Sequence, residues 1–397
     1  MELGVDIRLM NVKRQHEAHA SEYEEAALRV LRSGCYIGGE EVSAFESEFA
    51  AYAGAEFAVS CGNGTDALIL ALRALGIGAG DEVITVSWTF CSTAESIAIV
   101  GAKPVFVDVS PESFCIDPSL IERAVTPRTK AVLPVHFYGQ SCDMTAIRSI
   151  CRKHGLKLIT DCAQAAGTSF NGERRGILGD ISCFSFFPTK NLGCAGDGGM
   201  ILTDDESLAG ACRSLKVHGS GASGLEFLRR EYEKRGEPFP ENMPDGTSKY
   251  YNYLIGYNSR LDAVQAAILR KKLKYIDEFV DARRANAAYY NDALRGTGYT
   301  LPKESAGSRH SYYIYALKHR NAGKIMAKLT EAGIQCGVYY PVPLHMQGAF
   351  AYLGYRQGDL PVTEELARTT FAIPVYPELL SEEREFIVKI LREADDE

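Results

Sequence analysis

Between residues 57 and 203, seven short apolar segments alternate with stretches of helical spacing; they fall at 57–60, 83–86, 105–107, 131–135, 156–160, 181–186 and 200–203. Short strands separated by helices imply a mostly parallel sheet covered on both faces. The sequence therefore predicts an α/β fold around a seven-stranded sheet. Helix signals support this: an amphipathic stretch at 21–31 stops at Ser33-Gly34, and another at 145–154 stops at Gly155. A polar stretch at 219–249 interrupts the alternation, and its charged run at 229–235 reads as a solvated helix face. After it come a long helical pattern at 261–280 and apolar segments at 312–317 and 335–338, which read as strands between helices. They predict a smaller α+β unit, with the division at 1–270 and 271–397. In open α/β sheets ligands bind beyond the carboxyl ends of the strands, so residues at those ends deserve the closest reading.

Two segments there carry chemistry. Asp161-Cys-Ala-Gln164 follows the 156–160 strand, and Ser185-Phe-Phe-Pro-Thr-Lys190-Asn-Leu-Gly193 closes the 181–187 strand. A carboxylate and an amine would then meet at one sheet edge. Pyridoxal phosphate (PLP) chemistry needs that pair: the carboxylate keeps the ring nitrogen protonated so that the ring accepts electrons, and the lysine forms a Schiff base. The plainer alternative is a buried Asp and a surface Lys on two ordinary loops. Asn63-Gly-Thr65 opens a third segment, a helix with Leu68, Leu72 and Leu75 on one face before Gly76. A helix N-terminus presents free N–H groups and a partial positive charge to a phosphate, although a routine N-cap would look the same. Ser185 would add a hydroxyl to Gly64 and Thr65.

These stretches resemble the DegT/DnrJ/EryC1/StrS family of sugar aminotransferases. Tyr36-Ile-Gly-Gly-Glu40, Gly196-Asp-Gly-Gly199, Gly256-Tyr-Asn-Ser-Arg-Leu-Asp262 and Tyr340-Pro-Val-Pro-Leu-His345 extend the resemblance from about residue 31 to 377. It implies a fold-type I, aspartate-aminotransferase-like architecture and PLP bound to Lys190, with Asp161 on the ring nitrogen. It also implies an aromatic, here Trp88, stacked on one ring face, with small Ala163 on the other and Gln164 at the phenolic oxygen. Asn258 would reach the phosphate of a neighbouring subunit's cofactor, so that two chains share their active sites in a homodimer. Substrate candidates are His310, Tyr312, Arg260 and Phe187, with His345 and His218 behind them; Arg260 could equally pair with Asp262.

The reaction implied is transfer of an amino group from glutamate or glutamine to a nucleotide-linked keto-sugar. Gln164 where other members carry His leans towards a 3-keto-hexose; a keto-cyclitol is the alternative acceptor. A PLP-dependent sugar dehydratase of the same family would replace the lysine, commonly with His, and Lys190 is intact. A non-catalytic PLP regulator would want a DNA-binding domain or a partner tail, and neither is visible. A nicotinamide enzyme would want a Gly-x-Gly-x-x-Gly opening a helix. Net charge is −8, which argues against nucleic acid, and no apolar run approaches the roughly 18 residues of a membrane span. A cytoplasmic protein is expected. The eleven cysteines are scattered and contain no Cys-x-x-Cys pair, so they read as small hydrophobes rather than as ligands of a metal.

Overall fold

A computed structural model describes residues 6–246 and 250–395. In chain order its strands are β1 (Phe57–Cys61), β2 (Glu82–Val86), β3 (Lys103–Val107), β4 (Thr129–Val132), β5 (Lys157–Asp161), β6 (Ser169–Phe170), β7 (Ile181–Ser185), β8 (Gly199–Thr203), β9 (Ser308–Arg309), β10 (Tyr315–Lys318) and β11 (Thr370–Ile373). Seven of them form one sheet in the order β1-β8-β7-β5-β4-β2-β3. Only β8 runs against its neighbours. The predicted α/β architecture is the observed one.

Alternation along the strands builds two cores, one on each face. Leu158, Phe184 and Leu202 enter a cluster with Phe45, Phe49 and Ala266, while their neighbours Ile159, Cys183 and Ile201 enter another with Leu68, Leu72 and Cys212. Helices Glu40–Ala53 and Ala263–Leu273 thus cover one face, and Gly64–Ala74 and Glu206–Leu215 the other. Because β1, β2, β5 and β7 all run the same way, Cys61, Val86, Asp161 and Ser185 end at one edge. Register sharpens this: Cys61 and Ser185 both pair with Gly199 of β8, which brings the chain after β1 beside the chain after β7. A Cβ at Gly199 would lie 2.2 Å from the Asn63 carbonyl oxygen, so the approach requires glycine.

The C-terminal part pairs β10 with β11 antiparallel and packs helices Ile276–Ala293, Ala322–Glu331 and Ser381–Asp395 around Tyr290, Tyr315, Leu329 and Phe371. Several expectations need correction here. The pattern at 261–280 is two helices, Ala263–Leu273 and Ile276–Ala293, so position 270 falls inside a helix. The segment at 335–338 is extended but joins no sheet: the Gln335 N–H donates to the Ile7 carbonyl at 2.8 Å, and Gly337 bridges Ala372. It serves as a link between the N-terminal segment and β11. The strand expected at 312–317 begins only at Tyr315, because Tyr312 has φ 44°. Within 219–249 the charged run lies on helix Gly221–Arg235, which Gly236 ends at φ 66°; residues 247–249 lie outside the described ones.

Candidate active site at the strand ends

A cavity of about 1220 Å³ opens at this edge. Asp161 forms part of its wall and is 5% exposed. Its Oδ2 accepts from the Thr93 hydroxyl at 2.8 Å and its Oδ1 from the Ala163 N–H at 3.0 Å. Burial pushes its carboxyl above the ordinary carboxylate range; the two donors and the charge of Lys190 oppose that shift. Gln164 accepts from the Tyr138 N–H at 2.7 Å through Oε1, which orients the amide and leaves its NH2 as the donor.

Lys190 lies on the same wall, on the loop after β7. Its Nζ stands 4.4 Å from the centroid of the Tyr313 ring. Helix Gly64–Ala74 follows β1 and starts on the same cavity, capped by Asn63, whose side chain accepts from the Asp66 N–H. The N–H groups of Gly64 and Thr65 in its first turn have no intrahelical acceptor. Ser185 closes the cradle so tightly that a Cβ at Gly64 would sit 2.8 Å from the Ser185 Cβ. The Thr65 and Ser92 hydroxyls lie 2.6 Å apart beside it.

Asp161, Lys190, Gly64, Thr65, Ala163, Gln164, Ser185 and Phe187 therefore converge as expected from the sequence. Others do not. Trp88 is 1% exposed, packs edge-to-face on Phe137 and does not line the cavity; in the segment after β2 the aromatic that does is Phe90, half exposed. His310 is buried, stacks on Tyr312 and accepts the Tyr312 N–H through Nδ1 at 2.8 Å. Burial lowers its pKa to about 3, helped by Arg284, so it stays neutral. Tyr312 is buried with it and off the wall, whereas its neighbour Tyr313 lines the cavity.

Arg260 is exposed, off the wall and without an ion pair to Asp262. Asn258 is likewise exposed and off its own chain's cavity. His345 is buried between Ser87 (2.7 Å) and Glu364 (3.3 Å), and His218 is exposed in a turn at φ 63°. Sequence reasoning also missed the wall formed by Leu9, Met10, Ile334 and Gln335, which a linear pattern does not reveal because it arises from pairing across more than 300 residues.

The model of the DegT/DnrJ/EryC1/StrS aminotransferase family matches residues 17–392. The chain belongs to that family. It is similar to a pleiotropic regulatory protein of Geobacillus stearothermophilus (43% identity, covering 98% of each chain). It is also similar to a UDP-N-acetyl-3-dehydro-alpha-D-glucosamine 3-aminotransferase of Acidithiobacillus ferrooxidans (41% identity, 92% of this chain and 91% of that one). Among solved structures it is similar to DesV of Streptomyces venezuelae, with a TM-score of 0.90, 36% identity and 99% of each chain covered. The protein is a PLP-dependent aminotransferase.

The residues present fit that cofactor. A phosphate needs convergent N–H and hydroxyl donors, and the cradle at Gly64, Thr65 and Ser185 is shaped by a glycine that no larger residue could replace without a shift. A pyridinium nitrogen needs an acceptor-only partner, and Asp161 is a nearly buried carboxylate with only two donors on it. An aldehyde needs a primary amine, which Lys190 supplies from the same wall.

Proposed function

We propose that this aminotransferase takes an amino group from glutamate or glutamine and delivers it to a nucleotide-linked keto-sugar, at carbon 3 of the hexose. The observation that carries the reading is the cavity that Asp161 and Lys190 share. Its volume of about 1220 Å³ exceeds the roughly 300–1,000 Å³ of ordinary small-molecule sites. Beyond the cofactor residues it is walled by Phe187, Tyr339 and Tyr340, aromatic faces suited to a sugar ring or a base. The Acidithiobacillus relative's printed activity and Gln164 support the position of the amination.

When bound, PLP supplies the electron sink and the carbonyl that carries the amine. The rest belongs to this chain. Gly64, Thr65 and Ser185 hold the phosphate, and Asp161 keeps the ring nitrogen protonated. The Gln164 NH2 would be free to donate to the phenolic oxygen, small Ala163 would leave one ring face clear, and Phe90 would cover the other, the role that the family resemblance gave to Trp88. Lys190 would anchor the cofactor; freed by the donor, its amine would take the proton from the donor's alpha carbon as general base and deliver it, as general acid, to the cofactor carbon that the lysine had occupied.

Asn258 supports a shared site in a homodimer. It is exposed, and its surroundings include Ile37, which bridges Asp262, and Ile255, which is 84% exposed. Exposed apolar side chains beside a polar residue suit a buried interface. Among the described residues no helix is long and apolar enough to cross a membrane, and we place the protein in the cytoplasm. A regulatory role, as the name of the Geobacillus relative suggests for that protein, does not call for a lysine and a carboxylate in a common cavity.

Two experiments test the reading. Borohydride reduction and peptide mapping should place the cofactor on Lys190; a label on Lys216 instead would end the assignment. Nucleotide-linked 3-keto-hexoses, 4-keto-hexoses and keto-cyclitols should then be offered to the amine-loaded enzyme. Preferential turnover of a 4-keto-hexose or a cyclitol would overturn the acceptor.

A further inference from the structure

Tyr313 lines the cavity without a role in the chemistry so far derived, and it is fastened to the lysine loop. It is buried, and among the described residues Lys190 is the cation over its ring, at 4.4 Å from the centroid. That is within the distance at which an ammonium is attracted to an aromatic face. Two links fasten the ring and the loop together on either side of the lysine. The Tyr313 and Thr189 hydroxyls lie 3.3 Å apart. Asn191 donates through Nδ2 to the Ser311 carbonyl at 3.2 Å and to the Ala166 carbonyl at 3.3 Å.

We propose that Tyr313 is a positioning residue for Lys190: its ring face seats the protonated amine whenever the lysine is not covalently engaged, and its hydroxyl ties that seat to the lysine loop. The inference rests on Lys190 being the cofactor lysine. A freed amine that swung into the cavity would lose its alignment with the reacting carbon, and misplacement of about 1 Å is enough to slow a reaction strongly. Seating the ammonium on a fixed face of the cavity wall would keep it in range between its two proton transfers.

The titratable groups around the ring are Lys190, Arg283, Tyr339 and Tyr340. Arg283 is 3% exposed, with Nε and Nη1 unpartnered, and lines a small cavity together with Lys190, Thr189 and Glu378. Burial pushes the Tyr313 phenol up, but Lys190, Thr189 and Arg283 together hold it below the ordinary tyrosine range. Asp161 faces Lys190 and Glu378 faces Arg283, so each cation near the ring has a carboxylate of its own.

The test uses the cofactor-free chain with Tyr313→Phe and Tyr313→Leu. Lys190 is labelled with an amine-reactive reagent and mapped against Lys13, an exposed control. At neutral pH the Leu variant should label roughly three- to thirtyfold faster than wild type, the ratio expected for loss of one cation–π contact. Phe keeps the face and should stay within about twofold. At a pH where the amine is unprotonated the Leu excess should vanish. With cofactor, Leu should lower the rate of the glutamate half-reaction more than it changes apparent donor affinity, and Phe should restore most of it. Equal neutral rates, a Phe variant as fast as Leu, or an excess that persists at high pH would each overturn the seat. Failure of wild type to carry the cofactor on Lys190 would instead overturn the underlying site assignment.

Discussion

Asp161→Asn should separate stability from catalysis, and the sign of each effect follows from the carboxylate's surroundings. Burial raises the folded-state pKa of Asp161 above its ordinary value. The native cofactor-free chain therefore holds this proton more tightly than the unfolded chain does. Between the ordinary carboxylate pKa of about 3.9 and the raised one, stability falls as pH rises, and above the raised value the cost remains in full. Asn removes that cost without breaking the hydrogen bonds. The Ala163 N–H still finds an amide oxygen, and the Thr93 hydroxyl can turn to accept from the new NH2 while donating to Thr89 Oγ1, 2.9 Å away. Cofactor-free Asp161→Asn should thus melt no lower than wild type at pH 8, and any excess should disappear in acid.

Catalysis should move the other way. Without the carboxylate, the ring nitrogen loses a charge-assisted hydrogen bond of about 1.5–3 kcal/mol, or about one to two powers of ten in cofactor affinity. Lys190 and the phosphate cradle still hold the cofactor. The proton-transfer half-reaction should suffer more, by about 10²- to 10³-fold, as when other preorganised electrostatic partners are removed. Melting curves of the cofactor-free chains, cofactor titration and single-turnover rates with glutamate measure the three effects. Near-normal single-turnover rates, or a cofactor-free variant several degrees less stable at pH 8, would refute the reasoning.

Gly64→Ala should weaken cofactor binding about tenfold or more in titration, because the added Cβ meets the Ser185 Cβ at 2.8 Å and overpacking of this kind costs about 1–3 kcal/mol; unchanged affinity would remove Ser185 from the cradle. Asn258→Ala should cost about one to two powers of ten in affinity, and mixing it with Lys190→Ala under subunit exchange should restore activity through dimers holding one intact site. No recovery, or a monomer in solution, would count against the shared site. His310→Asn retains an acceptor for the Tyr312 N–H and should leave the limbs of the pH–rate profile in place, since His310, with a pKa near 3, is neutral throughout the working range. A displaced limb would return His310 to the proton-transfer chemistry.

What could be read from the sequence was whatever strand ends determine. Asp161 and Ser185 terminate β5 and β7, and the helix after β1 begins at Gly64, so their convergence follows from alternation and strand direction alone. The failures lie where the chain leaves the strands. Trp88 drew attention as the lone tryptophan, but after Val86 the chain turns, seats Trp88 on Phe137 and exposes Phe90 just before helix Cys91–Ile99. Phe90 is no capping residue type, so the helix start that aims it gives little local signal. Tyr312 is a substrate candidate from sequence, but its positive φ just before β10 turns the chain so that Tyr313, not Tyr312, lines the cavity. His310 and His345 are buried, the first with Nδ1 accepting from the Tyr312 N–H and the second with both ring nitrogens engaged by Ser87 and Glu364.

The antiparallel strand β8 explains why such a site can be compact. In a purely parallel sheet, strands β1 and β7 could adjoin only through a helical crossover. Inserting β8 between them places Cys61 and Ser185 opposite the same residue, Gly199, and the missing side chain there lets the Asn63 backbone approach. The phosphate cradle and the lysine loop are thereby fixed to one another through backbone pairing, while Asp161 is set by the register of β5 against β7, Asp161 opposite Cys183. Ser259 extends the same frame: it donates to Asp66 at 2.6 Å and accepts the Gly62 N–H at 2.9 Å, fastening the segment that carries Asn258 to the first turn of the cradle helix. If Asn258 reaches a partner's cofactor, that residue is positioned by its own chain's phosphate cradle. The geometry of one site then bears directly on the other.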